Sequence, residues 1–338
     1  MKMSFDAFTD ADLAGLAGDL PGFDDGAAQK ARDRQNSLTK PPGSLGRLEE
    51  LAVFMAGWQG RDRPTIDHAQ AVVFAGNHGV CAQGVNPFPQ EVTAQMVLNF
   101  KAGGAAVNQL CAVAGAELSV VPMDLDNPTN DITVEPAMRV EDTRDAMRRG
   151  AEVVDPKADI LILGEMGIGN STIAAALACG AFGGDASSWV GRGTGSDEDG
   201  LKRKANVVAA AVARHRGAHG IQLLAALGGR EQAAICGAVL QARALGIPVI
   251  LDGFICTAAT VPLFTVDPSF LQHCVVGHVS REPGHQKLLN AIGKDPILSL
   301  DMALGEGSGA ALALGVLRSA LACHNGMATF AEAGVSDG

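Results

Sequence analysis

The sequence predicts an α/β protein with a parallel, Rossmann-like sheet of about six strands, helices on both faces, and a small helical domain formed by both chain ends. Short, fully apolar runs bounded by glycine, such as residues 160–163, are typical of strands buried on both faces. From about residue 68 these runs alternate with helical stretches, which is the pattern of a parallel sheet. The 42 glycines supply the tight turns that join such strands to helices.

Six apolar runs are predicted to be the strands, and the two chain ends are predicted to be helical. The strands are residues 69–75, 118–123, 160–163, 188–190, 247–251 and 273–277. The small helical domain covers residues 1–62 and 298–338, and the large α/β domain covers residues 63–297.

The helices of the small domain follow from apolar spacing and from breaks in the chain. Residues 27–35 form one predicted helix, which the consecutive prolines Pro41 and Pro42 separate from the next. Ser44 is predicted to cap that second helix. Residues 310–322 form the main C-terminal helix, which we expect to pack on the N-terminal helices.

Ligands of a parallel α/β sheet bind at the carboxyl ends of its strands. The loops that follow the predicted strands should therefore meet at one rim of the sheet. These loops are residues 76–79, 124–126, 164–170, 191–195, 252–253 and 278–280.

The loop after residues 160–163 is the most informative, since Gly164, Gly167 and Gly169 leave it with little side-chain bulk. Residues 170–172, Asn-Ser-Thr, are predicted to cap the following helix. A strand, a glycine loop and a helix start together point backbone N–H groups at an anion, usually a phosphate. Glu165 then suggests a second task, such as contact with a sugar hydroxyl or a developing positive charge. The alternative is a tight turn with a solvated glutamate.

A second glycine loop, residues 190–195, is followed by three cations, Lys202, Arg203 and Lys204. These could close on a phosphate, although a solvated first helical turn is the preferred interpretation of Lys202 and Arg203. The loops lack the GK[ST] ending of an ATP-binding P-loop, and their glycine order departs from the GxGxxG of dinucleotide sites. The pattern therefore disfavours both nucleotide hydrolysis and a dinucleotide cofactor.

A third glycine-rich segment, residues 304–312, carries Glu306 between glycines and apolar residues. A carboxyl group that loses water there would have a raised pKa and could act as a general base near neutral pH. Equally well, the residue could be an acidic side chain placed at the start of a helix. His78, in a rim loop, is a further candidate, whereas His215 and His219 lack the partners of a zinc site. No metal and no cofactor are expected.

Composition excludes several other classes of function. The net charge of −11 and the absence of tyrosine argue against a nucleic-acid partner. The longest apolar stretch, residues 308–322, is broken by Arg318, so no membrane span is expected. The N-terminus does not resemble a secretory signal, and the seven cysteines form no CxxC pair. We therefore expect a cytoplasmic protein.

Five motifs together resemble the nicotinate-nucleotide–dimethylbenzimidazole phosphoribosyltransferase family. They are KPPGSLGRLE at 40–49, NHGV at 77–80, GEMGIGNST at 164–172, LDGF at 251–254 and LGEGSG at 304–309. The resemblance implies a homodimer that needs no metal. It also implies transfer of the phosphoribosyl group of nicotinate mononucleotide to 5,6-dimethylbenzimidazole, giving α-ribazole 5′-phosphate and nicotinate with inversion at the anomeric carbon.

The resemblance also implies roles for single residues. Glu306 matches the general base, Glu165 and Gly167 match the nucleotide loop, Lys204 matches its lysine, and Leu304 matches a wall of the base pocket.

Three positions depart from the family pattern. Phe88 and Met96 stand where some members carry serine and glutamine, and Asn77 stands in place of aspartate. These departures leave another aromatic base open as the acceptor. A non-catalytic nucleotide sensor is the other alternative.

The candidate site contains one catalytic residue and a larger set of substrate-binding residues. The catalytic residue is Glu306, and the substrate-binding residues are Glu165, Gly167, Gly169, Lys204, Gly191, Gly193, Asn77, His78, Phe88, Met96, Asp252, Ser280, Leu304 and Gly305.

Overall fold

The computed structural model describes residues 3–336 except Ala7, Thr194 and Ser196. In this part of the chain the fold centres on a six-stranded, all-parallel sheet with the strand order β2-β1-β3-β4-β5-β6. The strands are β1 Ala69–Ala75, β2 Ala116–Pro122, β3 Ile160–Met166, β4 Val249–Leu251, β5 Cys274–His278 and β6 Pro296–Leu298. The α/β class and the parallel sheet are thus confirmed.

One predicted strand is wrong and one strand was missed. Residues 188–190 do not join the sheet, since a short 3₁₀ helix ends at Ser188 and Trp189 is buried in the core. Trp189 donates its indole N–H to the Gly183 carbonyl at 2.9 Å, so a buried aromatic anchor produced the strand-like apolar pattern. The missed strand β6 is a short edge strand that begins with proline and is only partly buried, so its sequence carries little strand signal.

Helices precede, connect and follow the strands. In chain order they are α1 Asp10–Leu16, α2 Asp25–Ser37, α3 Arg47–Gln59, α4 Glu91–Lys101, α5 Ala106–Ala114, α6 Val140–Glu152, α7 Asn170–Phe182, α8 Glu198–Arg214, α9 Gly220–Leu227, α10 Arg230–Leu245, α11 Phe254–Ala259, α12 Val261–Val266, α13 Pro283–Ile292, α14 Ser308–Gly326 and α15 Phe330–Ala333. Over the residues described, none of these helices has both the length and the apolar character that a membrane span requires.

Successive side chains of the central strands enter two separate cores. In β1, Val72 and Phe74 pack into the larger core, whereas Ala71 and Val73 pack into the smaller one. The larger core includes side chains of α6, α7 and α10, and the smaller core includes side chains of α3, α5 and α14. The prediction of helices on both faces of the sheet is confirmed.

The two chain ends meet, as expected. Met55 of α3 and Leu314 of α14 lie in the same small core. Arg34 of α2 donates hydrogen bonds to the carbonyls of His324 at 2.8 Å and Met327 at 3.0 Å. Because α3 and α14 also cover the sheet, the boundaries of a separate helical domain stay a prediction.

Two predicted helix caps are wrong. Helix α3 follows Gly46 at φ 51°, and Ser44 does not cap it. Helix α7 follows Gly169 at φ 92°, so residues 170–172 belong to the helix and do not precede it. In both places a glycine adopts a backbone conformation that serine or threonine would find unfavourable.

Candidate active site

A cavity of about 790 Å³, including its open mouth, lies at the carboxyl ends of β3, β4 and β5. Four of the loops predicted to share this rim contribute to its wall: residues 164–170, 252–253 and 278–280, and residues 191–195 through Gly193. Its polar and charged lining includes Glu165, Lys204, Asp252, His278, Ser280 and Glu282. The parallel sheet therefore places its open strand ends, and the loops that follow them, around one cavity.

Close backbone contacts explain the glycines of the loop after β3. A Cβ atom on Gly164 would lie 2.6 Å from the Gly307 nitrogen, and one on Gly167 would lie 2.6 Å from the Gly76 carbonyl oxygen. These positions therefore exclude any side chain. The loop ends at the start of the 13-residue helix α7, which has no side-chain cap. The positive end of that helix consequently borders the cavity.

Lys204 of α8 lies beside the same loop. Its side chain is buried, and its ammonium donates to Ser171 Oγ at 3.2 Å and to the Gly191 carbonyl at 3.3 Å. Burial lowers the pKa of Lys204, and the nearby Glu282 opposes this effect. Glu282 in turn accepts a hydrogen bond from the Gly193 N–H at 2.8 Å. Lys204 thus lies between the two glycine loops, although Thr194 of the second loop is outside the described residues.

Two glutamates at this rim have raised pKa values. Burial, with repulsion from Asp252 and Glu231, raises the pKa of Glu165 to about 8. Burial and the Asp252 charge raise the pKa of Glu306 to about 7. Glu165 lines the cavity and accepts a hydrogen bond from the Asn170 side-chain amide. Glu306 does not line the cavity, but Gly305, the residue before it, does.

Asp252, at the end of β4, is held by the protein itself. One carboxylate oxygen accepts from the Gly307 N–H at 3.0 Å and the other from the Ala310 N–H at 2.8 Å. His278 Nε2 lies 3.7 Å from the Asp252 carboxylate. Burial raises the pKa of Asp252, while His278 and the backbone N–H groups favour its charged form. Both oxygens therefore have partners within the fold.

Comparison with known proteins identifies the family. A sequence model of the phosphoribosyltransferase family matches residues 20–335. The chain belongs to this family. Three similar proteins illustrate the match, and two of them are named nicotinate-nucleotide–dimethylbenzimidazole phosphoribosyltransferase. The Rhodobacter capsulatus protein is 62% identical over 96% of this chain and 98% of its own length. The Ruegeria pomeroyi protein is 56% identical over 98% of this chain and 99% of its own length.

A solved structure agrees with the family assignment. The crystal structure of CobT from Thermus thermophilus superposes on this phosphoribosyltransferase with a TM-score of 0.88 and 43% identity. The superposition covers 93% of this chain and 100% of that one. Fold and sequence family thus agree, and the resemblance noted in the five motifs is confirmed.

Two candidate residues of the phosphoribosyltransferase lie beneath the glycine loop and not in the cavity wall. His78 is fully buried, and its Nε2 lies 3.0 Å from the Glu231 carboxylate, which is also fully buried. Asn77 donates its side-chain amide to the Leu125 carbonyl at 3.0 Å. A Cβ on Gly167 would lie 3.0 Å from His78 Nε2, so this buried pair directly supports the loop.

The remaining candidates divide into three groups. Ser280, Gly193, Gly167, Gly169 and Gly305 line the cavity. Leu304 also lines it, with 52% of its surface exposed. Phe88 is 46% exposed and Met96 packs against the smaller core, and neither lines the cavity. Gly191 takes part only through its carbonyl, which accepts a hydrogen bond from the Lys204 ammonium.

Sequence reasoning missed three polar residues of the site. Asn170 was assigned to a helix cap, yet its side chain binds Glu165. Glu282 follows the rim loop at Ser280, and that position could have suggested its role. Glu231 lies in the first turn of α10 after a pair of glycines, and its sequence surroundings give no sign that it pairs with His78. Over the described residues, no group of three or more histidine, cysteine, aspartate or glutamate side chains is placed to hold a metal ion.

Proposed function

We propose that this chain transfers the phosphoribosyl group of nicotinate mononucleotide to 5,6-dimethylbenzimidazole. The products are α-ribazole 5′-phosphate and nicotinate, with inversion at the anomeric carbon. The observation that carries the proposal is the cavity at the strand ends, where the glycine loop, Lys204 and Glu165 share one wall and Glu306 follows directly after Gly305. The family and the names of its similar members support the same reaction.

The proposed chemistry needs a base and a stabiliser of positive charge. Glu306 removes the proton from the benzimidazole N–H, and the other ring nitrogen attacks the anomeric carbon. The bond from that carbon to nicotinate breaks, and its electron pair returns to the pyridine nitrogen. A pKa of about 7 suits a base at neutral pH. A positioned base contributes roughly 10² to 10⁴ in rate, and alignment of the two rings contributes further.

The phosphate is proposed to bind between Lys204 and the start of α7. The Lys204 ammonium and the Ser171 hydroxyl already lie 3.2 Å apart at this place, so both can turn toward one anion. The ribose would then lie near Glu165 and the glycine loop. Leu304, with Phe88 and Met96, is proposed to contact the apolar face of the incoming base, and Asn77 and His78 are proposed to support the site from below.

We also propose that the enzyme is a cytoplasmic homodimer. Leu300 and Leu304 are 55% and 52% exposed on the segment that borders the cavity. Exposed leucines beside a binding site are a surface that a second subunit could cover. Light scattering in solution tests this part, and a monomer that keeps full activity would contradict it.

The decisive experiment measures nicotinate release from nicotinate mononucleotide. We expect release that depends strictly on an added benzimidazole and that continues in the presence of a metal chelator. A panel of benzimidazoles, purines and phenols identifies the acceptor. Binding without release would indicate a nucleotide sensor, and loss of activity on chelation would indicate a metal-dependent nucleotide enzyme.

A further inference from the structure

The backbone around Glu306 has an unusual conformation. Gly305, Glu306 and Gly307 all have positive φ angles, of 82°, 66° and 84°. Two glycines adopt this region freely, but a glutamate does so only when surrounding structure holds it there. Some other part of the molecule must therefore fix this segment.

The Asp252 carboxylate holds the segment of residues 305–307 in this conformation. It lies at the end of β4, is 1% exposed, and reaches residues 55 and 58 positions later in the chain. Its two oxygens accept from the Gly307 and Ala310 N–H groups, which lie on the C-terminal side of Glu306. The carboxylate thereby closes the first turn of α14 against the sheet, as a helix-capping side chain does.

We propose that Asp252 is a positioning residue for phosphoribosyl transfer, which holds the Glu306 carboxyl in place through the Gly307 and Ala310 N–H groups. The inference rests on the proposed function, in which Glu306 is the base. It removes Asp252 from the substrate-binding residues and assigns it to the support of the catalytic segment.

The same contact also affects the charge of Glu306. The titratable groups that interact with Glu306 from the sheet are Glu165 on β3 and Asp252 at the end of β4, and His278 on β5 faces Asp252. After burial, the negative charge of Asp252 is the main cause of the raised pKa of Glu306. Removal of this charge should lower the pKa of Glu306, so that the base loses its proton at a lower pH.

Two neutral variants and one matched control test the proposal. Asp252→Asn and Asp252→Ser both remove the charge, and serine still offers one capping oxygen without an opposing donor. Asp24→Asn is the control, because Asp24 caps α2 through the Ala27 N–H at 2.8 Å in the same manner. Carboxyl-labelled glutamate with ¹³C NMR follows Glu306, whose signal is identified by its absence in Glu306→Gln.

We expect the Glu306 pKa to fall by about one pH unit or more in both Asp252 variants. The acid side of the kcat/KM profile should move with it. At its best pH, kcat should fall by roughly 10²-fold because the base is misplaced, while KM for nicotinate mononucleotide changes less than about threefold. Asp24→Asn should leave the titration and the kinetics unchanged.

Three results would overturn the proposal. An unchanged Glu306 titration together with unchanged kcat would do so, and a rise in KM alone would make Asp252 a substrate contact. Failure of both Asp252 variants to fold, with Asp24→Asn intact, would make Asp252 a residue of the fold alone. If the wild type releases no nicotinate, the proposed function fails separately, and the NMR titration still decides the link between Asp252 and Glu306.

Discussion

Three acidic side chains, Glu165, Asp252 and Glu306, converge where the strands end, and this crowding shapes their chemistry. Each is almost fully buried, and the charge of Asp252 raises the pKa of both glutamates by repulsion. Structural carboxylates are usually paired with cations, whereas catalytic ones are often found in such unfavourable settings. The convergence therefore supports a functional use for this group of residues.

Glu306→Gln should reduce transfer by at least about 10²-fold while nicotinate mononucleotide still binds. Glutamine keeps the shape of the side chain but cannot accept the proton. Steady-state release of nicotinate and equilibrium binding measure the two effects. Glu117→Gln on the edge strand β2 is the control, because that side chain is 82% exposed. Turnover of Glu306→Gln close to that of the wild type would refute the role of base.

Lys204→Ala should weaken the binding of nicotinate mononucleotide about 10- to 100-fold and affect the benzimidazole much less. A charged hydrogen bond to phosphate contributes about 1.5–3 kcal/mol. Calorimetry with each substrate separates the two effects. Lys202→Ala is the matched control, since Lys202 is 75% exposed and is paired with Asp199 at 3.6 Å. Equal losses for both substrates would place the phosphate elsewhere.

The preference for the acceptor base should follow apolar contact. Each ring methyl that is buried contributes about 0.8 kcal/mol, so 5,6-dimethylbenzimidazole should be preferred roughly tenfold over benzimidazole. Adenine should be poorer still, since its amino group would be buried without a partner. Values of kcat/KM for the three bases measure this order. Phe88→Ala should reduce the differences in kcat/KM between 5,6-dimethylbenzimidazole and the other two bases. An unaltered ranking of the three bases would place Phe88 outside the base pocket.

At the scale of elements, helix α14 connects the smaller core to the candidate active site. Its first turn packs so tightly on the sheet that a Cβ on Gly309 would lie 1.9 Å from His278 Cδ2. Farther along, Gly315 has no atom within 4 Å of such a Cβ. Glycine is therefore required at position 309, whereas position 315 of the same helix has room for a side chain.

This difference gives a paired prediction. Gly315→Ala should stabilise the protein by about 0.5–1 kcal/mol, because alanine is the better helix former. Gly309→Ala should destabilise it by about 1–3 kcal/mol through overpacking and should lower kcat. Denaturant unfolding and nicotinate release measure both variants. Equal stability of the two variants would contradict the close packing of α14 on β5.

Elements whose residue types are restricted by their own local surroundings could be predicted from the sequence. Contacts between residues far apart in the chain could not. The run Ile160–Met166 and its glycines reveal β3 and its loop, because burial and close approach restrict residue type locally. Trp189 gave a false strand, since burial without strand pairing leaves the same apolar pattern. The contact of Asp252 with Gly307 spans 55 residues, and no local pattern encodes it.

At the scale of the whole molecule, buried titratable groups act in opposite directions on stability. Burial lowers the pKa values of His273 and His285 to about 3. Both stay neutral when the unfolded chain would bind protons, so their contribution to stability is lost as the pH falls below about 6.5. Glu165 and Glu306 hold protons that the unfolded chain releases above about pH 4.5, so their contribution is lost as the pH rises toward 8.

Above about pH 6.5 the histidines of the unfolded chain are at most half protonated, so among these groups the two glutamates dominate the change. We therefore expect the Tm of the substrate-free protein to fall between about pH 6.5 and 8.5. Glu165→Gln should flatten this decline, because the amide does not titrate. Differential scanning calorimetry across that range measures it, with Glu117→Gln as the control. A Tm that rises over the same interval would be inconsistent with the raised pKa of Glu165.

The reach of Asp252 along the chain also has a consequence for biosynthesis. At roughly 5–20 residues per second, the ribosome adds Ala310 about 3–12 s after Asp252. The nascent chain can pair β1, β3 and β4 in that interval, but the Asp252 carboxylate must stay hydrated until its N–H partners emerge. The contacts of Asp252 with helix α14 can therefore form only late in synthesis. The protein becomes active only after the central strands have already paired.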